Sequence, residues 1–147
     1  MFMGLVGSEM CIRDRDNPEI RKLWKPLLDE FKVDLVLSGH DHTYARTGRI
    51  DFKGIRNIPE GYEKAFDPTI GTVYVVSVSG PKMYKITKGA FAKRMVENTQ
   101  LYQIIDINKS RLRYRAFQAT GELHDEFLLE KREGEPNLLI EGSYKDL

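Results

Sequence analysis

Residues 33–46 read V-D-L-V-L-S-G-H-D-H-T-Y-A-R. The aliphatic run at 33–37 is typical of a β-strand that is buried on both faces. Gly39 comes after this run, and because glycine has no Cβ the backbone can turn sharply there. Functional side chains often lie on the loop at the carboxyl end of a buried strand. In this chain that loop carries His40 and His42, one residue apart.

The two histidines are candidate metal ligands. Imidazoles at positions i and i+2 of an extended chain project from the same side, roughly 6–7 Å apart. That separation suits two metal ions about 3.5–4 Å apart, each bound by one imidazole, better than it suits one shared ion. Neutral imidazole nitrogen binds Zn, Fe, Mn and related ions. His40 and His42 therefore predict a metal site, with a packing or surface accident as the alternative.

The histidines belong to a longer pattern. Residues 39–46, G-H-D-H-T-Y-A-R, resemble the last signature motif, G-H-x-H, of calcineurin-like metallophosphoesterases. The x-Tyr-x-Arg tail resembles the purple-acid-phosphatase branch, in which the motif commonly reads G-H-x-H-x-Y-E-R. Ala45 departs from that pattern at the glutamate position. The segments at 33–38 and 71–84 also look like bacterial members of the family.

The resemblance implies a dinuclear metal centre that hydrolyses phosphate esters. His40 and His42 would each ligate one of two divalent ions, or of one Fe(III) and one divalent ion, drawn from Fe, Zn and Mn. The ions would hold the phosphate oxygens of a small-molecule ester or a phosphoprotein while an activated water attacks phosphorus in line. No catalytic residue is implied beyond the metal ligands. Relatives of this type are often exported, so the resemblance alone indicates an exported or periplasmic protein.

Other residues of the motif are candidates for support or substrate contact. The second ring nitrogen of each histidine should donate to a carboxylate or carbonyl that fixes the tautomer. Asp41 points away from its neighbours in an extended chain, so it is either a supporting group or a surface residue. Tyr44 and Arg46 are expected to brace the loop, with phosphate binding as the alternative.

The ligand count indicates that the chain is the C-terminal part of an enzyme. A catalytic metal usually has about three protein ligands and a water, which two histidines do not supply. In the resembled family the earlier motifs, D-x-G/H, G-D-x-x-D/Y, G-N-H-D/E and a further His, precede G-H-x-H, and this sequence has none of them. We therefore expect a missing N-terminal half of the same domain as partner, and an inactive fragment on its own.

The first fifteen residues differ in character from the rest of the chain. Residues 1–15 resemble translated sequencing-adapter sequence, and the alternative is a genuine but unstructured N-terminus. We predict a non-native leader at 1–15, the C-terminal part of a metallophosphoesterase domain at 16–131 and a tail at 132–147. Cys11, the single cysteine, lies in the leader, so cysteine usage says nothing about the redox compartment.

Composition is that of an ordinary globular domain, with 41% apolar residues, 31% charged residues and a net charge of +1. A charge this close to zero gives no reason to expect a nucleic-acid partner. No apolar run approaches the ~20 residues that a membrane-spanning helix needs.

The chain before and after the motif predicts an α/β fold. Asn17 and Pro18 should begin an amphipathic helix, and its apolar stripe should pack on a sheet with Trp24 in the core. Pro26 should kink that helix. Residues 47–69 read as a long loop, residues 71–80 as a strand, and residues 82–99 as a basic segment. That segment is expected to be a solvated face, helical or not, with a phosphate-attracting rim as the alternative.

The C-terminal part predicts an antiparallel β-meander. Residues 101–107, 111–118 and 126–131 alternate apolar and polar side chains, with turn residues between them. At most one short strand, at 138–140, is expected in the tail. The whole reads as the C-terminal part of a metallophosphoesterase two-sheet sandwich flanked by helices and ending in this meander.

Two other interpretations stay open. The chain could be a non-catalytic β-rich binding or interaction module in which the H-x-H pair is incidental. It could also be a mononuclear metalloprotein that uses His40, His42 and His124. Carboxylate motifs upstream would distinguish the enzyme from the module, and the metal stoichiometry of His124→Ala would test the mononuclear site.

Overall fold

The structure is a computed structural model that describes residues 4–5, 23–24, 26–28, 30–31, 33–39, 42–46, 73–85, 94–133 and 135–142. Within these residues the chain forms two β-sheets. Their strands are β1 (Gly4–Leu5), β2 (Leu35–Ser38), β3 (Tyr44–Arg46), β4 (Val73–Val76), β5 (Arg94–Val96), β6 (Leu101–Asn108), β7 (Arg111–Gln118), β8 (Leu123–Arg132) and β9 (Glu135–Glu141).

The first sheet has the strand order β1-β2-β4-β3-β5. Strand β2 runs parallel to β1 and β4, whereas β3 runs antiparallel to β4 and β5. The four residues of β4, V-Y-V-V, are all buried, as β-branched and aromatic residues in a central strand should be. The strands predicted at 33–37 and 71–80 are present in shorter form as β2 and β4, which lie side by side, and residues 33–34 and 77–80 are not part of a strand.

The second sheet is an antiparallel meander with the order β6-β7-β8-β9, which confirms the prediction for the C-terminal part. Residues 135–141, expected to be a loose tail with at most one short strand at 138–140, form its fourth strand. The sequence there, E-P-N-L-L-I-E, alternates poorly, and Pro136 argues against a central strand. At the edge of a sheet one side of the backbone needs no partner, so proline is tolerated.

The two sheets pack face to face around one core, so the predicted two-sheet sandwich is confirmed. Residues of the first sheet in this core are Leu35, Tyr44, Val73 and Val75. Residues of the second sheet are Leu101, Leu112, Tyr114, Ala116, Phe127, Leu129 and Leu139. In β7 the apolar positions point into this core while the alternating arginines point outward, as the alternation of side chains along a strand requires.

The helical segment consists of residues 23–24, 26–28 and 30, and Pro26 lies within it. Its apolar stripe does not pack on a sheet as expected, because only Leu28 of the described stripe is buried. The exposed members are Leu23 (65%), Trp24 (42%), Leu27 (40%) and Phe31 (67%). The assignment of Trp24 to the core was wrong. The expected helix start at Asn17 falls outside the described residues, as does the expected loop at 47–69.

The basic segment at 82–99 is not helical where the structure describes it. Residues 82–85 are irregular, and Arg94–Val96 is strand β5, which pairs with β3. Pairing with the free edge of β3 satisfies the backbone of β5 without any helical turn.

Asp34 joins the two sheets at the end of β2 that is remote from the histidine motif. This buried carboxylate accepts hydrogen bonds from Lys131 Nζ at 2.9 Å and from Asn137 Nδ2 at 2.6 Å. Burial lowers the pKa of Lys131, but the contact with Asp34 outweighs it and the pKa lies above its usual value. Asp34 thus fixes the start of β2 against β8 and β9.

One further feature concerns the predicted N-terminal leader. Gly4 and Leu5, in the predicted leader, pair in parallel with Val36 and Leu37 at the edge of the first sheet. The non-native origin of residues 1–15 stays a prediction.

In the part of the chain that the structure describes, no helix has the length and apolar character that a membrane crossing requires.

Candidate metal site

His42 lies between β2 and β3 and is held by the segment after β4. Its Nδ1 is 2.6 Å from the carbonyl oxygen of Lys82. Its own carbonyl accepts a hydrogen bond from the backbone N–H of Tyr84 at 3.0 Å. The rings of His42 and Tyr84 contact each other with centroids 4.9 Å apart. Backbone and ring of His42 are therefore both fixed by residues 82–84.

The contact with Lys82 determines which ring nitrogen of His42 carries a hydrogen. A carbonyl oxygen can only accept, so Nδ1 must carry the hydrogen and donate it. In a neutral imidazole the lone pair is then on Nε2. Donation of one ring N–H to a carbonyl is how metal-binding histidines are usually oriented. The Lys82 contact therefore leaves the Nε2 lone pair of a neutral His42 imidazole available to an external partner.

The other sequence-predicted residues of the loop are not all described. His40 and Asp41 lie outside the described residues, so their roles remain predictions. Among the residues that are described, no group of three or more His, Cys, Asp or Glu side chains could hold a metal ion.

Tyr44 and Arg46 lie in the interior between the sheets and contact Asp125 of β8. The Tyr44 hydroxyl donates to Asp125 Oδ2 at 2.7 Å. Arg46 donates from Nε to Oδ2 at 2.6 Å and from Nη2 to Oδ1 at 2.9 Å, a two-point contact. The Arg46 side chain is 0% exposed and that of Asp125 is 1% exposed. The structure therefore places both side chains in an inter-sheet brace, which we call the Asp125 brace (Tyr44, Arg46 and Asp125).

The Asp125 carboxylate is fully hydrogen-bonded. Besides the Tyr44 and Arg46 contacts, the backbone N–H of Glu126 donates to Oδ1 at 2.9 Å. Four donors match the roughly four acceptor positions of an ionised carboxylate. Burial raises the pKa of Asp125, but the hydrogen bonds and charge of Arg46 outweigh burial and hold the pKa below its ordinary value of 3.8. Asp125 is therefore ionised at neutral pH.

The partners of Asp125 keep their protons. Burial, the largest cause, raises the pKa of the Tyr44 phenol, and Asp125 raises it further. Burial lowers the pKa of Arg46, but its bonds to Asp125 more than compensate. The Arg46 guanidinium also lies 4.9 Å from the ring centre of Phe127 and 3.4 Å from a Glu141 carboxylate oxygen. The brace is thus a charge-balanced group that packs directly against the core.

His124, the third histidine, is half-buried in β8. Its ring meets the edge of the Tyr44 ring at 5.4 Å between centroids and an interplanar angle of 88°. This contact adds packing to the brace.

Sequence reasoning missed three residues that support the motif, namely Asp125, Lys82 and Tyr84. A signal for Asp125 existed, because it has the same parity along the strand as Phe127 and Leu129, which face the core. A buried carboxylate requires a partner, and Arg46 is the matching charge. Lys82 acts through its backbone carbonyl, which no side-chain pattern reveals.

No protein-family model matches the chain. Uncharacterized proteins from two strains of Mycobacterium tuberculosis are 38% identical to it over 66 residues, which is 42% of this chain. The match covers 12% of the length of those relatives, so the chain spans only a small part of them.

Two solved structures were compared with the fold. Purple acid phosphatase PPD1 from yellow lupin (Lupinus luteus) seeds overlays with a TM-score of 0.59 and 17% identity, over 88% of this chain and 25% of that chain. A Vps29 single mutant from Entamoeba histolytica, 9% identical over 92% of this chain and 53% of its own, reaches a TM-score of only 0.39. The two-sheet architecture is therefore that of part of a metallophosphoesterase fold, as the overlay with the lupin protein shows.

Proposed function

We propose that this chain is the C-terminal part of a dinuclear metallophosphoesterase of the purple-acid-phosphatase type, which hydrolyses phosphate esters. The observation that carries the proposal is the orientation of His42. Its Nδ1 donates to the Lys82 carbonyl at 2.6 Å, within a G-H-x-H motif and on a metallophosphoesterase fold. A histidine held in this way presents Nε2 as a ligand.

His42 and His40 would each hold one metal ion, from the Fe, Zn and Mn group. When bound, such ions stabilise charge on phosphate oxygens and lower the pKa of water toward neutrality. The protein's part is to keep its ligands in place. The Lys82 carbonyl fixes the tautomer of His42, the Tyr84 ring limits rotation of the imidazole, and the Asp125 brace holds strand β3 next to the motif.

The remaining ligands would come from the preceding half of the same domain. Carboxylates are needed to complete a dinuclear centre, and the described residues provide no cluster of them beside His42. The substrate would be a phosphate ester of a small molecule or a phosphoprotein. Nothing in the chain's near-neutral charge favours a nucleic acid.

The test begins with the source DNA across codon 16 and several hundred bases upstream. A reading frame that continues into Gly-Asp and Gly-Asn-His motifs would support the proposal, and residues 1–15 should then be replaced by native sequence. The complete protein should bind two metal ions and hydrolyse a chromogenic phosphate ester. His40→Ala and His42→Ala should each lose one metal ion and nearly all turnover, and His124→Ala should lose neither.

Two outcomes would overturn the proposal. One is a genuine start at Met1 with a metal-free protein, which would leave the non-catalytic β-rich module as the function. The other is retained turnover in His40→Ala or His42→Ala, which would show that these side chains are not ligands.

A further inference from the structure

Two buried carboxylates bridge the sheets, at different positions relative to the histidine motif. Asp34 precedes β2 and bonds to Lys131 and Asn137, whereas the motif lies beyond the other end of β2. Asp125 reaches from β8 to Tyr44, two residues after His42, and to Arg46. Both aspartate side chains are almost completely buried, at 4% exposure for Asp34 and 1% for Asp125. Of these two aspartates, Asp125 is the one that bonds to strand β3, which follows the histidine motif.

We propose that Asp125 is a positioning residue for the metal site, because it fixes Tyr44 and Arg46 and thereby sets where His42 stands. This inference rests on the proposed function. Among the described residues Asp125 has no hydrogen bond or ion pair with His42, so its role would be exerted through β3.

The geometry of β3 shows why it needs such an anchor. The strand has only three residues, and it pairs with β4 at Ala45 and Arg46 and with β5 at Tyr44, Ala45 and Arg46. Tyr44 and Arg46 share one side of this extended segment, so a single carboxylate can hold both. Backbone pairing on both sides fixes β3 within its own sheet, but it does not join β3 to the second sheet. The brace supplies that link, because its carboxylate belongs to β8 of the second sheet.

The chemistry of the brace also favours a positioning role. A buried ion pair is often no more stabilising than apolar side chains of the same volume, because both charges lose their hydration. Its distinguishing property is a fixed geometry, here with four hydrogen bonds to one carboxylate. Metal ligands must be held within roughly 0.5 Å of their productive positions. A rigid polar anchor next to the ligand loop meets that requirement.

The experiment compares matched variants in the protein expressed from the complete source gene, with Co²⁺ as the probe. Asp125→Asn removes the negative charge that balances Arg46, and Tyr44→Phe removes one hydrogen bond with little loss of volume. Asp34→Asn is the control, because it removes the charge of the other inter-sheet bridge. Metal-free unfolding in urea is measured for each variant alongside the Co²⁺ affinity and the visible ligand-field spectrum.

Asp125→Asn should weaken Co²⁺ binding by about 10-fold or more and change the ligand-field spectrum, as loss of an outer support of a metal ligand typically does. Tyr44→Phe should shift affinity and spectrum in the same direction by a smaller factor. Asp34→Asn should lower stability but keep the wild-type affinity and spectrum. If Asp125→Asn does not fold, the comparison of Tyr44→Phe with Asp34→Asn decides.

Two results would overturn the inference. In one, the folded Asp125→Asn and Tyr44→Phe proteins bind Co²⁺ with wild-type affinity and spectrum. In the other, Asp34→Asn weakens binding as much as they do, which would assign the effect to general loosening of the two sheets. A wild-type protein that binds no Co²⁺ would instead remove the proposed function itself, so the two failures are distinguishable.

Discussion

Arg46 and Asp125 form a two-point ion pair between the sheets, with Nε 2.6 Å from Oδ2 and Nη2 2.9 Å from Oδ1, although 79 positions separate them in the chain. The pair joins strand β3, just after the histidine motif, to the C-terminal meander. The meander is therefore part of the support of the candidate metal site. Truncation of the chain before β8 would remove the only carboxylate that both Tyr44 and Arg46 are seen to contact in the described residues.

The first prediction concerns the energetics of this pair. Arg46→Met or Asp125→Leu alone should each lower the free energy of unfolding by about 3–5 kcal/mol, because the remaining buried charge loses its two-point partner. It would keep only a longer contact, that of Asp125 with Arg94 at 3.7 Å or that of Arg46 with Glu141 at 3.4 Å. The double variant should lose clearly less than the sum, since no charge is then stranded. Urea unfolding of the four proteins gives the coupling energy.

The half-exposed pair of Arg111 and Glu130, 2.8 Å apart on the outer face of the meander, provides the control. Arg111→Met should cost about 0–1 kcal/mol, as exposed ion pairs do. Strictly additive losses for Arg46→Met and Asp125→Leu would show that the two charges do not depend on each other.

Sequence analysis could predict the elements with strong local patterns. The β-branched run of β4 and the alternation in β7 are local signals, so they were sufficient to predict the core strands and the meander. The parity of Asp125 along β8 indicates that it faces the core, but its pairing with Arg46 joins residues 79 positions apart, which no local pattern specifies. Trp24 was misplaced because a periodic apolar stripe shows that a helix has an apolar face, but not what covers that face.

The second prediction is a pH dependence. The pKa of Asp125 in the folded protein is below its ordinary value of 3.8, because Arg46 more than offsets the effect of burial. A lowered carboxyl pKa stabilises the folded state above the unfolded pKa, and this contribution is lost as the pH falls through the folded pKa. The difference in unfolding free energy between wild type and Asp125→Asn should therefore be constant above about pH 5 and shrink below about pH 4. Urea unfolding at a series of pH values measures it, and a difference that persists unchanged in acid would contradict the assignment.

The third prediction separates the backbone and the side chain of Lys82. The acceptor for His42 Nδ1 is the backbone carbonyl of Lys82. A substitution of the Lys82 side chain that leaves the backbone path unchanged therefore preserves this acceptor. Lys82→Ala should therefore keep the metal affinity of the complete protein. Tyr84→Ala should weaken it several-fold, because the ring that packs against His42 is lost. Co²⁺ titration of the two variants compares them directly, and a large loss in Lys82→Ala would mean that its ammonium group also takes part.

The fourth prediction addresses His124. Its ring packs on the edge of Tyr44, which gives it a structural role in the brace. His124→Ala should lower the unfolding free energy by about 1 kcal/mol through lost packing and leave the metal stoichiometry unchanged. Metal analysis after dialysis checks this, with His42→Ala as the variant that should lose an ion. A lower metal stoichiometry in His124→Ala would favour the alternative of a mononuclear site formed by His40, His42 and His124.

The fifth prediction concerns the apolar stripe of the helical segment. Leu23 and Phe31 are 65% and 67% exposed, and Trp24 and Leu27 are 42% and 40% exposed, so this segment presents four large apolar side chains to solvent. The 147-residue chain should therefore bind a fluorescent hydrophobic dye, and Leu23→Gln with Phe31→Gln should reduce that binding. Ile107→Gln is the matched control, because Ile107 is 51% exposed and lies on strand β6 of the second sheet instead of on the helical segment. If the preceding half of the domain covers the stripe, the complete protein should bind little dye even without these substitutions. Equal dye binding by the complete protein and by the 147-residue chain would show that the stripe faces solvent in both.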